Sequence, residues 1–213
     1  MRLIKLAPSQ RVEGRWLVQL ESGELLRVGE NEVVSFALYS GKELSEEEVD
    51  ALRAAGRASA VKEKALSLLS ARPMSRKELI DKLTARPRDR EKEPLTDQAG
   101  AEAVADRLEE LGYLNDGAYA SMVVRHYSAK GYGRRRLQEE LYRHGVPRDY
   151  WEEALAEAAP PEDGVDAFLR KKLKPGDLED RKALKRITDA LARRGYRWDE
   201  IQDGLRRYGA ELE

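Results

Sequence analysis

The chain has 213 residues, 37% of them charged and 41% hydrophobic, which is long enough for one or two ordinary domains. Thirty-nine Lys and Arg against 40 Asp and Glu give a net charge of -1, which excludes a polycation that holds nucleic acid by bulk charge but leaves room for local basic faces. The absence of Cys excludes a disulfide framework, a thiolate zinc site and a thiol nucleophile. No apolar run approaches the roughly 20 residues that span a bilayer, and Met1–Pro8 has no secretory apolar core, so a soluble cytoplasmic protein without a membrane partner is expected.

Residues 1–40 lean toward strand. Arg2–Leu6 and Arg15–Leu20 are short β-favouring runs, bracketed by Pro8 and Gly14. Glu21–Glu24 is a turn signal, and Leu25–Val28 follows it. The pattern predicts a hairpin, with the first run as a third strand. A short helix is expected over 30–38, stopped near Gly41. Ser45 followed by Glu46, Glu47 and Glu48 is a helix start, because a Ser cap and first-turn acids suit the positive end of the helix dipole.

From residue 45 the sequence turns helical, rich in Ala, Leu, Glu, Lys and Arg. Leu66 and Leu69, then Leu79 and Leu83, then Val104, Leu108 and Leu111 mark three apolar faces. Breaks fall at Pro73, over Pro87–Pro94 and at Gly112. Ser75 with Glu78 reads as a capping box.

The chain also repeats itself. The pair Leu79/Leu83 recurs at Leu137/Leu141 and Ile187/Leu191, each time in a basic helix. Gly145 and Gly195 follow the last two pairs at the same distance, where a left-handed helix cap is expected. Trp151 and Leu155 then correspond to Ile201 and Leu205. The first copy carries extra residues, placed at 85–96. Leading helices are expected over 58–71, 118–129 and 165–173. The expected fold is therefore mainly α: a tandem array of three three-helix repeats behind a small N-terminal β-hairpin or three-stranded extension. Its parts are the extension at 1–44, a linking helix with repeat one at 45–114, repeat two at 115–159 and repeat three at 160–213. Tyr127, Trp151 and Trp198 are expected to face the bundle interior.

Charge is uneven along this array. Residues 1–56 hold 7 basic and 10 acidic groups, residues 125–148 hold 7 and 2, and residues 170–197 hold 11 and 4. Such excesses are either solvated faces laced with ion pairs or surfaces that neutralise phosphate. Many Tyr accompany them, and stacking on bases is a second use for these rings, with packing in the core or its rim the commoner one.

Little points to catalysis. His126 and His144, without Cys, are poor metal ligands, and His144 precedes the Gly145 cap, where an imidazolium would suit the helix end. Gly131-Tyr132-Gly133 begins like a dinucleotide fingerprint, but no strand precedes it and Arg136 fills the third glycine position. No Ser or Thr has an identifiable base. A non-enzymatic protein without metal or cofactor is expected.

Four stretches carry a resemblance. Glu110–Asp116 with Tyr119-Ala120, Gly131–Leu141 with Gly145-Val146, Leu191–Tyr196 with Ile201, and Ser70–Leu79 occur in the order found in the RecX family of bacterial recombinase regulators. Residues 4–41 are similar to the N-terminal extension of many members, while the charged insertion over 86–94 is longer than the family pattern suggests. The resemblance implies a protein that lodges in the groove of the RecA filament on single-stranded DNA and limits filament growth, ATP hydrolysis and strand exchange. It also implies a curved array of three-helix repeats. Candidate contacts to phosphate or acidic protein groups are Arg134, Arg135, Arg136 and Arg143 in repeat two, and Lys171, Lys172, Lys185 and Arg186 in repeat three. Two rival readings are a direct DNA-binding helical module of helix-turn-helix type and a helical-repeat scaffold without nucleic acid. Balanced charge and the lack of heptads imply a monomer.

Overall fold

The computed structural model describes residues 1–87 and 93–210. Three antiparallel strands open the chain: β1 (Leu3–Pro8), β2 (Arg15–Leu20) and β3 (Leu25–Gly29), in the order β1-β2-β3. Alternation sets the register. Val18 and Leu20 point inward and are buried, while Gln19 between them is exposed, as a two-residue period requires. Leu20 pairs with Leu3 and Val28 with Trp16. The inner face joins Leu38, Leu44, Val49 and Leu52 in one apolar cluster.

Helix α1 (Glu30–Ser35) is shorter than the expected 30–38. It stops because Ala37 takes φ +45, a left-handed conformation that ends the helical hydrogen bonding. Helix α2 (Glu46–Ala71) starts at Ser45, whose Oγ accepts from Glu48 N while the Glu48 carboxylate accepts from Ser45 N. It runs 26 residues without a break, so the expected leading helix over 58–71 is the second half of one continuous helix. Two ion pairs clip α2 to the sheet: Arg53 to Glu24 at 2.6 Å, and Arg15 to Glu63. Arg53 lowers the Glu24 carboxyl below its usual range by hydrogen bonding to the charged form.

Helices α3 (Arg76–Thr84) and α4 (Gln98–Glu110) follow. Leu79, Leu83 and Leu108 are buried as the pattern predicted, but Leu111 is exposed, because α4 ends at Glu110 and Leu111 lies on its C-terminal cap. The expected insertion at 85–96 falls partly outside the described residues. Helices α5 (Asp116–Ser128), α6 (Arg134–Arg143) and α7 (Trp151–Ala156) enclose a core of Tyr119, Val123, Val124, Leu137, Leu141 and Leu155. Helices α8 (Pro161–Lys172), α9 (Arg181–Arg193) and α10 (Trp198–Ala210) enclose Val165, Leu169, Ile187, Leu191 and Ile201. Each buried Leu or Ile contributes about 1.5–3 kcal/mol relative to an exposed one. The protein is thus mainly helical with a three-stranded N-terminal sheet.

Contacts divide the chain into two compact units, Met1–Pro73 with Leu79–Leu114, and Met74–Glu78 with the chain from Asn115 onward. No helix among the described residues is long and apolar enough to cross a membrane.

Candidate nucleic-acid interface

The second unit holds all eight basic residues singled out from the sequence. Gly145 and Gly195 have φ +69 and +91, the left-handed caps that the repeat pattern called for. Gly195 also allows a close approach. Gly133 N donates to Arg194 O at 2.9 Å, and Arg135 N donates to Gly195 O at 3.2 Å. The carbonyls ending α9 therefore satisfy amides at the start of α6, which no residue inside α6 can reach. A side chain on Gly195 would run into the backbone of Arg136, and one on Gly133 would lie 2.6 Å from Gly195 O. A similar contact forms at the other end of α6. Ser75 Oγ donates to His144 O at 2.6 Å, accepts from Glu78 N, and lies beside Gly145. Asp116 Oδ1 accepts from Arg76 N at 2.8 Å.

Beside this joint, most arginines of α6 are already held. Arg194 donates to the carbonyls of Lys130 and Gly131 and lies over the Tyr132 ring, which stacks on Tyr127. Arg136 covers the same Tyr132 ring. It also pairs with Glu139 at 2.9 Å and Glu140 at 2.8 Å, and these carboxylates raise its pKa, the Glu139 hydrogen bond most. Arg143 pairs with Glu140 at 3.2 Å, and Arg134 meets Glu152 of α7 at 2.8 Å. Glu140 is 1% exposed. Arg135 reaches Glu139 only at 3.8 Å and is largely exposed. Four candidate contacts thus reduce to one cation that is loosely held.

Helix α9 differs. Arg181, Lys182, Lys185, Arg186 and Arg193 are all exposed, and the 3.6-residue period gathers them on one face. Ala183, Ile187 and Leu191 occupy the opposite, buried face. Among the described residues none of these five cations has an ion-pair partner within 4 Å, although Asp189 shares their face. Lys171 and Lys172, in the last turn of α8, are likewise exposed and unpaired among the described residues. Arg181, Lys182 and Arg193 are not among the candidates named from the sequence, although the 3.6-residue period of the α9 cations includes them.

The aromatic expectations divide. Tyr127 and Trp151 pack half-buried against the α5–α7 core, and Trp151 Nε1 donates to Val146 O. Trp198 is 65% exposed and does not face the interior. It begins α10, and the inward position belongs to Ile201, one turn on. His144 caps α6, with Nδ1 3.0 Å from the Tyr119 hydroxyl; His126 lies exposed, edge-on to Tyr127. No group of three or more His, Asp or Glu residues is placed to hold a metal among the described residues.

Compact three-helix units joined by their backbone define a class of helical-repeat protein whose charged surface, not a pocket, is the candidate site. Comparisons with known proteins narrow the class. Residues 115–155 match the family model of the RecX second three-helix domain. The regulatory protein RecX of Xanthomonas axonopodis pv. citri is 34% identical over 148 residues, covering 68% of this chain and 85% of that protein. The regulatory protein RecX of Mycobacterium sp. strain JLS is 36% identical over 139 residues, covering 62% and 72%. A crystal structure of a regulatory protein RecX superposes with a TM-score of 0.69 at 20% identity, over 95% of this chain and 98% of that one. The chain belongs to the RecX family of regulatory proteins.

Proposed function

We propose that the protein is a non-enzymatic regulator that binds the RecA filament on single-stranded DNA and restrains its ATP hydrolysis and strand exchange, with α9 as its main phosphate-facing surface. Membership of the RecX family carries this reading, and the unpaired cations of α9 support it. Cations without an ion-pair partner among the described residues can neutralise phosphate and release the counterions condensed on the nucleic acid, which is a favourable and salt-dependent term. The units 115–159 and 160–213 act in it as two copies of one three-helix module. Lys171, Lys172, Lys185 and Arg186 keep their proposed role. Of the α6 set, Arg135 keeps it, while Arg134, Arg136 and Arg143 serve the fold first. The protein works as a cytoplasmic monomer with no cofactor.

The exposed α9 face also favours a second reading, a module that binds DNA directly. Co-sedimentation separates the two. Labelled protein is spun with RecA filaments on single-stranded DNA, with RecA alone, and with DNA alone. Retention by filaments well above retention by bare DNA supports the regulator, whereas equal retention by bare DNA supports the module. Retention by RecA alone, unchanged by nuclease, supports a scaffold without nucleic acid.

A further inference from the structure

Helices α6 and α9 stand at the same place in successive copies of one unit, Ile187 falling 50 positions after Leu137 and Gly195 50 after Gly145. The same step carries Arg136 to Arg186 and Arg143 to Arg193. It carries Glu140 to Ala190. In α6 the buried Glu140 carboxylate lies 2.8 Å from Arg136 and 3.2 Å from Arg143. In α9 both arginines remain and the acid is gone.

Resting on the phosphate-binding reading of α9, we propose that this one position helps decide which copy engages nucleic acid: Glu140 holds Arg136 and Arg143 on their own helix, and Ala190 leaves Arg186 and Arg193 free to meet phosphate. The reason is desolvation. Phosphate that takes Arg136 or Arg143 strips one of two cations from a buried carboxylate, and weakening the pairing of a buried charge is unfavourable. Arg186 and Arg193 give up only water and mobile ions. The cation face from Arg181 to Arg193 runs about 18 Å at 1.5 Å per residue, long enough to follow several phosphates. Asp189 is the acid that remains there; unlike its counterpart Glu139, which pairs with Arg135 and Arg136 in α6, it makes no ion pair with the α9 cations among the described residues.

The test measures affinity for a fluorescent oligothymidylate, without RecA, across 50–200 mM salt. The Ala190→Glu variant restores the α6 arrangement and is expected to lose two phosphate contacts. Its log K–log salt slope should fall by about 1.4, at about 0.7 per contact for a single strand, with affinity at low salt down about tenfold or more. Ala190→Gln should bind within about twofold of the wild type, because it adds bulk without charge. Arg186→Gln with Arg193→Gln should lose the same slope as Ala190→Glu, and it serves if Ala190→Glu fails to fold by circular dichroism. Glu140→Ala should steepen the slope by freeing Arg143. Unchanged binding by Ala190→Glu or by the double Gln variant overturns the inference while leaving α9 as a phosphate surface. No binding by the wild type overturns that reading as well, and the inference with it.

Discussion

Helices α6 and α9 look alike in the sequence and differ in what their charges do. Both are basic, both bury an apolar pair one turn apart (Leu137 and Leu141, Ile187 and Leu191), and both end at a left-handed glycine. Yet α6 spends its arginines on Glu139, Glu140 and Glu152, while α9 presents five cations with no partner among the described residues. The comparison teaches that a count of Lys and Arg measures potential, and that whether a carboxylate is placed to pair with each cation decides availability. A surface pair is worth little in stability, but it removes a cation from the set that can meet phosphate.

The comparison can be broken first in the cores. Leu141→Ala and Leu191→Ala remove matching side chains, both 0% exposed, and each should cost about 2–5 kcal/mol in urea unfolding. A large cost at one site and none at the other would mean that the two units are not built alike. Gly195→Ala tests the joint. It forces a side chain at φ +91 against the Arg136 backbone, and strain of this kind costs about 1–3 kcal/mol. Gly145→Ala, whose neighbours are the Ser75 and Lys77 side chains, should cost less.

Charge reversal sharpens the contrast. Lys185→Glu with Arg186→Glu should weaken oligothymidylate binding by about tenfold or more and flatten its salt dependence, since each lost phosphate contact removes about 0.7 from the slope. Arg134→Glu should change binding little, because Glu152 already holds that guanidinium; equal losses from both variants would erase the difference between the helices. The smallest expected effect lies in the first unit. The folded pKa of Glu24 is lowered by Arg53, so the stability it contributes is present above its unfolded pKa of about 4.3 and lost as pH falls through the lower folded value. Glu24→Gln should therefore melt below the wild type at pH 7, and the gap should close at strongly acidic pH. A gap that persists in acid would assign the loss to packing.

What the sequence revealed follows the range of the interactions involved. The three strands, the Ser45 capping box and the glycine caps depend on residues within a few positions of each other, and each was readable. The repeat step placed the core leucines correctly. The same step, taken further, sets Trp198 opposite Arg148, an exposed surface residue, and so would have warned against burying it. The Glu140 pairs were also within reach, four and three residues from Arg136 and Arg143. Other features were not. Arg134 finds Glu152 on another helix, and Gly133 is needed because Gly195, 62 residues later, lies against it. Periodicity within one helix carries no record of such neighbours.

The most direct test of the account titrates wild-type protein and the Lys185→Glu, Arg186→Glu variant side by side into RecA hydrolysing ATP on single-stranded DNA. The account predicts that the wild type suppresses hydrolysis and that the variant needs about tenfold more protein for the same suppression, the cost of roughly 1.4 kcal/mol of lost binding. Superimposable curves, or hydrolysis that the wild type leaves untouched, would contradict it.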